Sequence, residues 1–199
     1  MPAPIASPLN PDHMRVLQAA SARSRKLRRA SRVASFNGWT AAIFAACSAV
    51  AGFFSPGELV LAAALGAVAF VELRGARWFA ACDARAPGML TLNQLALGAV
   101  LVAYACWKGW DALHAPAASE RWASADPEVQ RMLADSAASI DAITRGVALA
   151  LYATLALGSI AAQGLTAWYY ASRARFIREY HAHTPAWAIE IERAVRCAA

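Results

Sequence analysis

The sequence predicts an all-α integral membrane protein: four transmembrane helices in two antiparallel hairpins, with both termini in the cytoplasm. Three observations lead there. Of 199 residues, 59% are hydrophobic and only 16% are charged, which is too apolar for a soluble fold of this length. The stretch from Gly146 to Ser172 carries no charge between Arg145 and Arg173, and roughly 20 helical residues suffice to cross a hydrocarbon core of about 30 Å. The cations are also unevenly placed. Fifteen of the nineteen Lys and Arg residues precede the first apolar segment, separate the second from the third, or follow the fourth. The positive-inside rule assigns those segments to the cytoplasm.

Residues 1–10 hold three prolines and no charge and are expected to be disordered. From Pro11 to Val33 the spacing predicts a basic juxtamembrane helix capped by Asp12, so residues 1–33 form the first unit of the chain. Met14, Leu17, Leu27 and Val33 give this helix a thin apolar side, while Arg23, Arg25, Lys26, Arg28, Arg29 and Arg32 crowd the rest. Each cation near an anionic leaflet gains about 1 kcal/mol, so this patch is expected to meet lipid headgroups. No aromatic side chain interleaves the arginines to stack bases, which argues against nucleic acid as a partner.

Spans 1 to 3 are expected within residues 34–107, at about 34–54, 58–79 and 89–107. Small residues recur every fourth position along the first, at Ala41, Ala45 and Ala49 and at Ser48 with Gly52, a pattern that lets helix backbones approach closely. Ala49-Val50-Ala51 and Phe44-Ala45-Ala46-Cys47 loosely resemble processing sites, but the basic leader is long for a signal peptide, and an uncleaved span is expected. Ser55-Pro56-Gly57 then reads as a tight turn returning span 2 alongside span 1. The uncharged part of span 2, Leu59 to Val71, makes only about 20 Å of helix. The crossing must therefore include Glu72. Span 3 carries Asn93 and Gln94 one turn inside its start and ends on Trp107 and Trp110.

Residues 108–145 hold six acids and are expected outside the cell, with Asp126-Pro127-Glu128 starting a short helix. Span 4, 146–172, ends in Trp168, Tyr169 and Tyr170, an aromatic belt suited to the headgroup level. In the tail, 173–199, Trp187, Ile191 and Val195 line one side of an interfacial helix.

Chemistry is sparse. Glu179-Tyr180-His181-Ala182-His183 is the one run resembling metal ligands, but two histidines two residues apart face different ways on a helix and zinc needs three or four ligands. Cys47, Cys82, Cys106 and Cys197 show no paired spacing, so neither a disulfide framework nor a zinc site is expected. No nucleophile elbow or phosphate loop occurs, and neither a catalytic residue nor a cofactor is predicted. What remains is a set of intramembrane polar residues: Glu72, Asn37, Asn93, Gln94 and Gln163. All fall towards the cytoplasmic side of their spans. The residues at i−4, i−3, i+3 and i+4 from Glu72 are Val68, Ala69, Gly75 and Ala76, none of which can pair with it. Its partner is expected on another helix, among those amides.

The arginine and alanine bias points to a GC-rich bacterium and hence an inner (cytoplasmic) membrane. Strong packing features and weak chemical ones predict a non-enzymatic accessory or assembly component that contacts other membrane proteins or itself. The alternative is a small-solute or ion transport or channel subunit working as a homo-oligomer.

Overall fold

The computed structural model describes residues 10–115, 128 and 137–198. The predicted disorder of residues 1–9 and most of the segment expected outside the cell, including Asp126 and Pro127, lie outside the described residues. Every element among the described residues is an α-helix: α1 (Pro11–Ala51), α2 (Pro56–Ala80), α3 (Ala86–His114), α4 (Ala137–His183) and α5 (Ala186–Ala198). The first four are long and apolar enough to cross a membrane. At 41 and 47 residues, α1 and α4 measure about 62 and 70 Å, roughly twice the hydrocarbon thickness.

Two findings revise the reading of the leader. The cap of α1 is Asn10, whose Oδ1 accepts from the Asp12 amide at 3.3 Å, and Pro11 takes the first helical position. Asp12 sits in the first turn, where a carboxylate meets the positive end of the helix dipole. Secondly, leader and span 1 form one uninterrupted helix. Its buried side is made by Ala20, Ser24, Leu27, Ala30, Ala34, Gly38 and Ala41, while Met14 and Val33 are exposed. Small residues escape a search for bulky apolar periodicity, yet they are what close helix approach requires.

The chain divides into two compact units, residues 1–94 with 166–199, and residues 95–165. In the first, Ser31 Oγ donates to the Ala76 carbonyl at 2.8 Å, Gly38 faces Leu73 and Glu72, and Gly52 faces Leu59. The core of this unit joins Leu27 of α1, Phe79 of α2, Leu90 of α3 and Tyr170, Ile177 and Tyr180 of α4. Cys82, at φ 56°, turns the chain out of α2, and the Asp83 amide then reaches back to the Trp78 carbonyl at 2.9 Å. This left-handed residue satisfies carbonyls that the helix end would otherwise strand. Helix α5 folds back on the start of α1: Trp187 lies against His13 with ring centroids 5.1 Å apart, and Tyr180 donates to Glu192 at 2.9 Å. Part of the expected interfacial face is thus spent on the protein's own leader, although Val195 stays exposed.

In the second unit the remaining lengths of α3 and α4 hold Gly98 against the Gln163 side chain and Gly109 near Tyr152. Arg145 donates to the Ala115 carbonyl at 3.4 Å, so the start of α4 is tied to the end of α3.

Candidate functional site

Glu72 occupies the buried face of α2 with Val68, Ala69, Gly75 and Ala76 and is 1% exposed. Its carboxylate is held by three neutral donors. Asn93 Nδ2 donates to Oε1 at 2.9 Å and Gln94 Nε2 to the same oxygen at 2.7 Å. Tyr170 donates its hydroxyl to Oε2 at 3.0 Å. Asn93 Nδ2 also reaches the Val68 carbonyl at 3.2 Å, and Asn37 Nδ2 donates to the Tyr170 oxygen at 3.1 Å. Five polar side chains from α1, α2, α3 and α4 therefore meet in one unit.

Local sequence accounts for each position. Asn93 and Gln94 lie about 100° apart on α3, close enough to straddle one carboxylate oxygen. Asn37 precedes Gly38, whose missing side chain lets α1 come within van der Waals reach of the Glu72 stem: a methyl there would lie 3.1 Å from Glu72 Cβ. On α4, Ala167, Tyr170, Ile177 and Tyr180 are buried, a stripe at helical spacing that turns Tyr170 inward.

Among the residues singled out from sequence, Glu72, Asn93 and Gln94 are in direct contact, and Asn37 reaches them through Tyr170. Gln163 does not join them. It lies seven residues before Tyr170, about 10 Å along α4, and belongs to the other unit, beside Gly98. Tyr170, assigned from sequence to the headgroup belt, is fully buried, whereas Trp168 is 69% exposed. Consecutive residues step by about 100°, so three aromatics in a row cannot all face lipid.

The basic residues are placed differently. Arg25, Arg29 and Arg32 are exposed on α1, and with Lys26 and Arg28 they line an open groove of about 460 Å³. Arg23 donates to the His183 carbonyl at 2.7 Å, Arg28 to the Ser21 carbonyl at 2.9 Å, and Lys26 Nζ lies 4.3 Å from the Phe176 ring centroid, a cation–π distance. Because α1 is continuous, Arg32 and Arg29 lie about 3 and 8 Å before Ala34 along the axis, whereas Arg23 lies about 16 Å before it. Arg23 and Lys26, farther from the apolar segment, serve the packing of α1 against the end of α4. His181 donates to the Cys82 carbonyl at 2.9 Å and His183 to the Glu179 carbonyl at 3.0 Å, so both histidines bond to backbone.

Compared with protein families, with curated proteins and with solved structures, the chain matches none.

Proposed function

We infer that the protein is a non-enzymatic accessory or assembly component of a membrane complex, seated in a bacterial inner membrane. The observation that carries this reading is how the one deeply buried acid among the described residues is used. Both carboxylate oxygens of Glu72 bond to side chains of other helices. Polar groups used this way fix which helices pack and in what register. The outward side chains fit the same role: Phe36 and Trp39 of α1, and Phe53 and Phe54 in the turn after it, are 64 to 91% exposed and meet lipid or a neighbouring span.

Two antiparallel hairpins are favoured by the pairing of residues. Ser31 with Ala76, Gly38 with Leu73 and Gly52 with Leu59 advance along α1 and its C-terminal cap as they retreat on α2. Within the second unit, Gly98 with Gln163 and Gly109 with Tyr152 follow the same rule for α3 and α4. The cation count then sets both termini in the cytoplasm. In a cysteine-free background, single cysteines at Gln18 and Glu190 are expected to label only after permeabilisation and one at Ala118 from outside. Labelling at Ala118 from the cytoplasmic side alone would reverse the orientation.

The role itself is tested by native mass spectrometry of material extracted from its own membrane. An unrelated, larger membrane protein is expected at fixed stoichiometry, together with retained phosphatidylglycerol that largely disappears when Arg25, Arg29 and Arg32 are changed to alanine. A homo-oligomer without other subunits, moving an ion or solute in liposomes, would point instead to a transport or channel subunit.

A further inference from the structure

We propose that the junction at Glu72 is a binding site for one small, dehydrated monovalent cation, with sodium as the probe ion. Glu72 is buried on every side, and the groups that meet its carboxylate are amides and a phenol. The nearest cations along its own helix, Arg74 and Arg77, are exposed, and Arg74 lies over the Trp78 ring at 5.2 Å. A buried carboxylate without an opposite charge is costly, and neutral hydrogen bonds offset only part of that cost.

A second, independent observation is Gln94 Oε1. Gln94 is 2% exposed and its Nε2 is spent on Glu72, yet its buried oxygen has no hydrogen-bond partner. Asn93 Nδ2, meanwhile, stands between two oxygens, Glu72 Oε1 at 2.9 Å and the Val68 carbonyl at 3.2 Å. An amide's nitrogen and oxygen exchange places on a half-turn of the group. Such a turn puts Asn93 Oδ1 and Gln94 Oε1 where their nitrogens now stand, 2.9 and 2.7 Å from Glu72 Oε1, with the Val68 carbonyl 3.2 Å from the first, so that four oxygens share one neighbourhood. Four converging oxygens repel one another unless a hard cation lies among them, and oxygen is the ligand such ions take. In the present arrangement the amide NH₂ groups supply the positive pole themselves. Glu72 Oε1 thus meets positive charge in either orientation, from the amide NH₂ groups now and from the ion after the turn.

Valence follows from the same count. One carboxylate balances one positive charge, whereas magnesium or calcium would leave a net charge buried between the helices. Tyr170 stays on Oε2 throughout, so the ion clamps α2 to α3 without releasing α4.

The site stands independently of the accessory role: a sodium response is silent about partner proteins, and co-purification is silent about sodium. The test uses the full-length protein in detergent, unfolded thermally at fixed ionic strength in sodium chloride or choline chloride, with calorimetric titration of sodium into choline-equilibrated protein. Sodium is expected to raise the melting temperature by on the order of 5 °C at about 100 times its dissociation constant, with a single ion per chain and no substitution by magnesium. Glu72→Gln is expected to lose the response, and Gln94→Leu to bind sodium about tenfold more weakly or worse. Equal melting in sodium and choline, or an undiminished response in Glu72→Gln, would overturn the proposal. A stability that follows pH but not sodium would identify a proton as the charge partner and overturn it equally. If Glu72→Gln does not fold, the titrations of the unaltered protein and Gln94→Leu decide: no binding in the first, or equal affinity in both, defeats it.

Discussion

Glu72→Leu is expected to destabilise the detergent-extracted protein by about 3 kcal/mol, or roughly 6 to 12 °C in melting temperature for a chain of this size. Leucine fills much of the same volume, so the loss is not one of packing. It arises because three donors, Asn93 Nδ2, Gln94 Nε2 and the Tyr170 hydroxyl, lose their acceptor in a place that water does not reach. Each orphaned donor costs about 1 kcal/mol, the lower part of the range for buried groups, because helices separated within a membrane or micelle also find other partners. Glu72→Gln keeps one acceptor oxygen for the two amides and presents an NH₂ group to the Tyr170 oxygen, so it is expected to cost about 1 kcal/mol. Thermal unfolding of both variants checks the order. An unchanged melting point for Glu72→Leu would mean that the carboxylate turns to the headgroups and holds nothing together.

That Glu72 should need a partner on another helix is legible in the sequence, because the positions one turn away, Val68, Ala69, Gly75 and Ala76, offer no polar group. Asn93 and Gln94 are legible for a similar reason: amides inside an apolar run must bond to something. Tyr170 is not, since a tyrosine beside Trp168 and Tyr169 at a span end fits the belt equally well. The signal that separates the readings is the inward stripe Ala167, Tyr170, Ile177, Tyr180, which becomes visible only when α4 is followed past its apolar part. Gln163 misleads in the opposite way. It shares a face with Tyr170, seven residues being close to two turns, but those two turns carry it beyond reach along the axis. The four long apolar helices follow from composition and run length alone. The continuity of α1 does not, because a change from cationic to apolar residues looks like a boundary even where the helical hydrogen bonding has none.

The second large effect is expected at Gly75, where α2 meets α3. A methyl group added there would lie 2.5 to 2.9 Å from Cγ and both Cδ atoms of Leu90, well inside contact distance. Leu90 is fully buried, in the cluster with Phe79 and Tyr170, so it has no free space into which to turn. Gly75→Ala is therefore expected to cost about 2 kcal/mol by overpacking, even though alanine is the better helix former by about 1 kcal/mol at an open site. Leu90→Ala alone should cost about 2 to 5 kcal/mol through the cavity it leaves. The two changes oppose each other in space, because the new methyl occupies part of the volume the leucine vacates. The double variant is thus expected to be more stable than the sum of the single losses by about 2 kcal/mol, read as a partial recovery of the melting temperature over Leu90→Ala. Additive losses would mean that α2 and α3 do not meet at this point, and the approach that sets Asn93 and Gln94 against Glu72, one turn from Gly75 and Leu90, would have to be made some other way.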